Sequence, residues 1–575
     1  MTNLQSLYGT DIAPLKASKL KAGPISLTLE NGILRHVKLN GSEIIRSIAF
    51  LVRDADWGTL APDIDNLIID ERSDQLVISY SAQYQSGDAL LNVDISIDAS
   101  AGGLKMLANG VANGKFETNR AGFTVLHPIK DVAGCPVEIQ HSDGSVEHGN
   151  FPALIEPWQP FVDINAITHQ AGNHTIRCQL VGDTFEMEDQ RQWGDASFKT
   201  YNRPLAQPWP YTIADGDSVE QSVSLTWAQK PAIVAPEFLE RCIDANFPEM
   251  ALVISPEDAV RLAANPNDLN VVQPQRLLCH LDTQLGDLRD QFNAFAHAQS
   301  CCPDVVYDLE LIIANDDNLD QIATVMNSTG FSPDSVMICP SVDRQSTPPG
   351  SEWPDCPPLE IIHKAGESAF PNLKRGGGMV SFFPELNRKR PPIEMLDFVS
   401  HGLCPIVHAA DDFSVMETLE TIAHITTSAR AIIGTLPYRI GPATIAMRQN
   451  PYGNRTIPNP NNDRVCMTDN DPRHRAKFGA AYVVGLATAL AQSGISVWTP
   501  AYLYGPRGLI GSKGCWPIAE PLAALAKMAG QGVKKADISD GRALLSSRKM
   551  KIVANLTPLQ NDGLAPFGVD ISPVL

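Results

Sequence analysis

No Cys-x-x-Cys pair occurs among the 11 cysteines of this 575-residue chain, and no cysteine stands at metal-ligand spacing from a histidine. An odd count scattered from Cys135 to Cys515 excludes a complete disulfide framework and a zinc knuckle. It predicts reduced thiols that fill cores, and no bound metal. Positive charge is the scarcer sign, with 45 Lys and Arg against 65 Asp and Glu, a formal net charge of −20. An acidic surface repels phosphate backbones and anionic lipid heads, so neither nucleic acid nor a membrane is an expected partner. Long apolar runs are missing too. The longest, near residues 480–491, falls short of the ~20 residues that cross a bilayer. The start, Met1-Thr2-Asn3-Leu4-Gln5-Ser6-Leu7-Tyr8, has neither a basic nor an apolar leader region, and a cytoplasmic protein is expected. Internal repeats, low-complexity tracts and coiled-coil heptads are absent.

What is present is apolar material for large cores: 43% hydrophobic residues against 19% charged. Between residue 25 and about 230, short segments alternate apolar and polar positions, as in 25–29, 76–80, 91–97 and 222–227, with Asn-Gly and Asp-Gly turns among them. A period of two at this spacing predicts an antiparallel β-sandwich over 1–233. From Pro236 the pattern changes to apolar runs of four to eight residues separated by helical stretches. Strands are expected at 251–254, 276–281, 305–313, 335–339, 379–383, 404–408, 431–436 and 495–499, with helices such as 285–298, 414–425 and 476–492 between them. Eight strands in this length match a (β/α)8 TIM-like barrel over 234–518. An open doubly wound sheet is disfavoured because no G-x-G-x-x-G follows the first strand. Residues 519–575 read as a small C-terminal β unit, with strands at 542–547 and 549–556, placed on the first domain. The chain is thus a multidomain α/β plus all-β protein.

Barrel enzymes carry reactive groups at the C-terminal ends of their strands. Two carboxylates, Glu310 and Glu385, stand in otherwise apolar runs. Burying a bare charge is expensive, so each is either paired with an arginine such as Arg388 or Arg439, or shifted in pKa and used for proton transfer. His408, followed by Asp411 and Asp412, ends the expected sixth strand. Imidazole titrates near neutrality, which suits catalysis. His280 and Asp282 at the second strand end, Asn387 at the fifth and Arg439 at the seventh complete a polar rim fit for a sugar-like ligand. In the β domain, Asp189, Arg191 and Lys199 lie in a dense cluster of charges and aromatics over 185–201. Such a cluster suits hydrogen bonding and stacking to a polyol, or a solvated pair of strands.

The segments Arg53-Asp54-Ala55-Asp56-Trp57-Gly58-Thr59, Gly122-Phe123-Thr124-Val125-Leu126-His127-Pro128, 185–201 with its Asp189-Gln190-Arg191-Gln192-Trp193, Phe383-Pro384-Glu385-Leu386-Asn387-Arg388 and His408-Ala409-Ala410-Asp411-Asp412 resemble the D-apionolactonase (D-apionate lactonase) family of apiose catabolism. The resemblance spans essentially the whole chain. It implies hydrolysis of D-apionolactone to D-apionate without a redox cofactor, on a sandwich, a glycosidase-like barrel and a small β unit. A flat lactone carbonyl beside a ring oxygen resembles the oxocarbenium-like state of glycoside cleavage, so one pocket shape serves both. On this chemistry Glu385 is expected as base and Glu310 as acid, with the reverse order open, and Asn387 and His408 hold the oxyanion or hydroxyls. A glycoside hydrolase using the same acids and a non-catalytic carbohydrate-binding protein are the rival readings.

Overall fold

The computed structural model describes residues 3–55, 57–230, 236–239, 245–347, 349–453 and 455–574. The expected boundary between 233 and 234, and Asp56 of the first resemblance segment, lie outside the described residues. Two compact units form: Pro14–Arg191 with Ala196–Phe238, and Met1–Ala13 and Gln192–Asp195 with Leu239–Leu575.

The first unit is all-β, as its alternation predicts. In Ala89–Ser100 every second residue, Leu91, Val93, Ile95, Ile97 and Ala99, is buried, while Asn92, Asp94, Ser96 and Asp98 face out. That strand pairs antiparallel with Gln75–Ser86 on one side and Gly103–Asn113 on the other. Asn31 and Gly32, both at positive φ, turn Ile25–Glu30 into Ile33–Leu39, the geometry that favours Asn-Gly in tight hairpins. Sixteen described strands share one antiparallel sheet. It nearly closes, since Gly23 N–H donates to Ser73 O at 2.9 Å and Lys21 N–H to Glu71 Oε1 at 2.9 Å, joining its first strand to its last. A continuous apolar core runs from Leu20 to Leu225.

In the second unit eight parallel strands close into a barrel: Glu249–Ile254, Arg276–Asp282, Val306–Ile313, Ser335–Pro340, Lys374–Phe382, Phe398–Leu403, Tyr438–Ala443 and Val497–Tyr504, the last pairing with the first. The first four and the eighth overlap their expected positions. The fifth starts at Lys374, ahead of the expected 379, and runs through Gly376, Gly377 and Gly378. A Cβ on Gly376 would come within 2.1 Å of the Phe398 ring, so glycine is what admits that ring to the interior.

The sixth and seventh strands are corrections. The apolar run 404–408 contains Pro405, which has no N–H for a ladder, and it lies beyond the true strand Phe398–Leu403. That strand looks polar because of Ser400 and His401, yet His401 is fully buried, its Nε2 2.7 Å from the Tyr438 hydroxyl. Residues 431–436 are the end of helix Ile422–Ile433 and its turn at Gly434, φ 60°. The strand proper is Tyr438–Ala443.

The C-terminal β unit has four antiparallel strands, Lys535–Ser539, Arg542–Ser546, Met550–Asn555 and Val569–Pro573. It packs on the apolar barrel helix Lys477–Leu490, and Phe567 meets Phe478 at 5.0 Å and Tyr8 at 5.4 Å. No helix among the described residues is long and apolar enough to cross a membrane.

Candidate active site

The barrel interior is layered. Toward the N-terminal ends, Arg276 holds Asp308 at 2.6 Å while Arg439 donates to Ser335 Oγ at 3.0 Å and lies 3.3 Å from Asp308. Two residues further along the third strand, Glu310 enters the next layer beside His280, its register partner. His280 Nδ1 lies 2.7 Å from Glu310 Oε1 and 2.7 Å from Arg448 Nη2, and Arg448 Nη1 donates to Glu310 Oε2 at 3.0 Å. Burial pushes the Glu310 carboxyl up, but Arg448 and His280 outweigh it and hold the group at about 2. Glu310 is therefore ionised at neutral pH. Burial and the Arg448 charge push the His280 imidazole below its ordinary value despite Glu310, leaving it neutral.

These groups reach a cleft of about 550 Å³ beyond the C-terminal ends of the second to fourth strands. Its walls include His280, Asp282, Arg344, Arg448, Asn450 and Arg455. Arg344, on the turn Ser341–Arg344, is ion-paired with Asp282, whose other oxygen accepts Gln284 N–H at 3.0 Å.

Glu385 stands on the short helix Phe383–Lys389 that follows the fifth strand and is buried. Ser346 Oγ donates to its Oε1 at 2.6 Å, and Arg388 lies 3.5 Å away. Burial raises its carboxyl against Ser346 and Arg388, with help from the charge of Asp343. His408 lies in the loop after the sixth strand, Nδ1 2.7 Å from Asp195 Oδ2 and its ring edge-on to Trp193 at 5.8 Å. Trp193 also meets Tyr452 at 5.2 Å and the Arg388 guanidinium at 5.9 Å. Glu385 and His408 are thus joined through Arg388 and Trp193. Ser346 N–H donates to Pro451 O at 2.7 Å, tying this cluster to the segment that carries Arg448 and Asn450.

Asn387 is buried on the same short helix as Glu385. Asp411 is the N-cap of helix Asp412–Glu417, accepting Ser414 N–H at 2.9 Å and Ser414 Oγ–H at 2.7 Å. Arg439 is a correction. It begins its strand rather than following it, so it faces the Asp308 layer at the opposite end of the barrel from the cleft. Asp189 and Arg191 form a fully buried ion pair at 2.6 Å, and the guanidinium also donates to Pro152 O at 2.8 Å and Ala153 O at 3.1 Å. Such a set of bonds builds the β unit and offers a ligand nothing. Lys199 is ion-paired with Glu188 in the same unit.

Sequence reasoning missed Arg448, Arg344, Ser346 and Asp195. With the seventh strand placed at 431–436, its expected rim ended near Gly441, short of Arg448. Among the described residues no three His, Cys, Asp or Glu side chains converge to hold a metal ion.

Residues 5–230 match the profile described as D-apionate lactonase, N-terminal domain, and residues 250–530 match D-apionate lactonase, TIM barrel domain. A D-apionate lactonase of Brucella anthropi is 44% identical over 525 residues, 88% of this chain and 86% of that one. Among solved structures, an endoxylanase of glycoside hydrolase family 30 from Clostridium papyrosolvens is 7% identical, covering 56% of this chain and 83% of its own, at a TM-score of 0.34. A family 36 alpha-galactosidase from Geobacillus stearothermophilus is 11% identical, covering 94% and 91%, at 0.27. TM-scores this low establish no shared fold. With matching profiles over most of its length and a relative this similar in sequence, the chain belongs to the D-apionate lactonase family.

Proposed function

We propose that the chain opens a sugar lactone, D-apionolactone, with water to give D-apionate, and that His280 is the proton-transferring group. The observation that carries this is an imidazole held between Glu310 and Arg448 at a polar cleft. With Nδ1–H donated to Glu310, Nε2 is left free to take a proton from water as the oxygen attacks the lactone carbonyl. The new C–O bond forms, and the electrons move to a carbonyl oxyanion that the Arg448 and Arg344 guanidiniums stabilise. Collapse breaks the ring C–O bond, the proton on Nε2 passes to the departing alkoxide, and the acid product ionises. Glu310, too acidic to donate, balances the imidazolium. The donor role expected of it thus falls to His280, and Glu385, whose carboxyl burial raises, and the Asp195-oriented His408 are assigned as further polar contacts on the same rim. Asn387 and Asp282 are assigned to substrate hydroxyls.

The relative's name, D-apionate lactonase, supports the substrate. We read the N-terminal sheet as a sandwich, with domains at 1–233, 234–518 and 519–575. A high and a low carboxyl also suit a glycoside hydrolase, so aryl glycosides belong in the assay. In pH-stat turnover of D-apionolactone, His280→Asn lowers kcat/KM by about 10²–10⁴-fold. Near-normal turnover by that variant overturns the assignment.

A further inference from the structure

Three guanidiniums line the barrel cleft, and their engagements differ. Arg448 is committed to Glu310, donating from Nη1 to Oε2 at 3.0 Å. Arg344 is ion-paired with Asp282 and donates from Nη2 to Gln284 Oε1 at 3.2 Å. Arg455 is exposed, and among the described residues its guanidinium has no carboxylate, carbonyl or aromatic ring as a partner. Two carboxylates thus stand against three guanidiniums, with the other lining side chains uncharged. The cleft carries one positive charge in excess, and Arg455 holds it.

The backbone beneath that side chain is anchored. Asn450 is buried, and its Oδ1 accepts Tyr452 N–H at 2.9 Å while its Nδ2 donates to Arg455 O at 3.1 Å. Gln345 Nε2 donates to Gly453 O at 3.1 Å, and Gln449 Nε2 donates to Arg344 O at 2.8 Å, tying the segment to the turn after the fourth strand. Thr456, the next residue, also lines the cleft. An arginine fixed at its backbone, with its planar fork of donors unengaged at a polar wall, is suited to receive a carboxylate.

Lactone opening changes the charge of what fills the cleft. The lactone is neutral, whereas an ordinary carboxyl titrates near about 4, so the hydroxy acid formed is an anion at neutral pH. We infer, on the reading of this cleft as the hydrolytic site, that Arg455 recognises the product by taking its carboxylate, and that the enzyme is inhibited as the aldonate accumulates. Arg344 and Arg448 already face carboxylates of the chain, which compete with an incoming anion for their donors. Arg455 has no such competitor. A bond from its fork to a neutral lactone oxygen is weaker than one to a carboxylate, so the residue separates product from substrate. Because the pair is solvated, the gain is about three- to tenfold in affinity and is screened by salt.

The test is calorimetric titration of the full chain with D-apionate, read beside inhibition of D-apionolactone turnover by added D-apionate. The expected result is binding that competes with the lactone, and an Arg455→Gln variant whose Kd and Ki for D-apionate rise about three- to tenfold. KM for the neutral lactone rises by a smaller factor, and Arg455→Lys, which keeps the charge, falls between. Raising salt from about 50 to about 500 mM weakens D-apionate binding more in the unsubstituted chain than in Arg455→Gln. The side chain is exposed, so both variants keep the fold, which a thermal scan verifies. Three outcomes overturn the proposal: D-apionate does not bind or does not compete, Arg455→Gln leaves its Kd unchanged, or Kd and KM rise by the same factor. The calorimetric Kd is read without turnover, so its outcome is distinct from that of His280→Asn.

Discussion

Glu310 shows how far a single residue can be read. A carboxylate in an apolar run has to be compensated, and the sequence named it for that reason. The compensating groups, Arg448 and His280, lie 138 and 30 positions away, and no local pattern links them. Arg191 shows the opposite case. Its dense charged surroundings suggested a ligand contact, yet it is fully enclosed with Asp189 and backbone carbonyls. Arg191→Met leaves Asp189 buried without its counter-charge and destabilises the chain by about 3–5 kcal/mol. Urea unfolding checks the loss. KM for the lactone in the folded variant stays at the unsubstituted value if the pair is structural. At the residue proposed as the base, the depressed pKa of His280 puts the acid limb of kcat/KM below the imidazole's ordinary 6.5. Activity holds as pH falls to that value and declines beneath it, and a pH–rate profile locates the limb.

Elements were legible where burial is one-sided or the strand is wholly apolar. Ala89–Ser100 alternates as a sheet with one dry face must, and Glu249–Ile254 is an apolar run after its first residue, as a buried barrel strand must be. Legibility failed where a barrel strand holds small or polar residues inside. Lys374–Phe382 carries three glycines near its start and Phe398–Leu403 carries Ser400 and His401. Their buried partners, Phe398 for Gly376 and Tyr438 for His401, come from neighbouring strands. Gly376→Ala drives a methyl into the Phe398 ring. Overpacking of this kind costs about 1–3 kcal/mol, and a double variant with Phe398→Leu recovers part of it in thermal melts.

At the scale of the whole molecule, buried imidazoles make the fold sensitive to acid. Burial lowers His169, His363, His401 and His474 to about 4, and His127, paired with His169 at 3.4 Å, well below its ordinary value. Each is neutral when folded and free to protonate near 6.5 when unfolded. Their contribution is therefore complete above about pH 6.5 and is lost as pH falls from there toward 4. The thermal midpoint is expected to drop steadily across that window, and His363→Leu flattens part of the slope. A midpoint constant from pH 7 to 4.5 contradicts the picture.

The sequence by itself determined the succession of an all-β region, a barrel and a small β unit, because hydrophobic period and length are local properties that survive without coordinates. It also singled out Glu310, Glu385, His280 and His408, since polar groups in apolar surroundings are conspicuous along the chain. Only the tertiary structure decided which arginine neutralises which acid, which carboxyl is held low and which high, and that Arg439 belongs to the far end of the barrel. Those outcomes depend on charges brought within a few ångströms across strands far apart in sequence, in an interior where solvent no longer screens them.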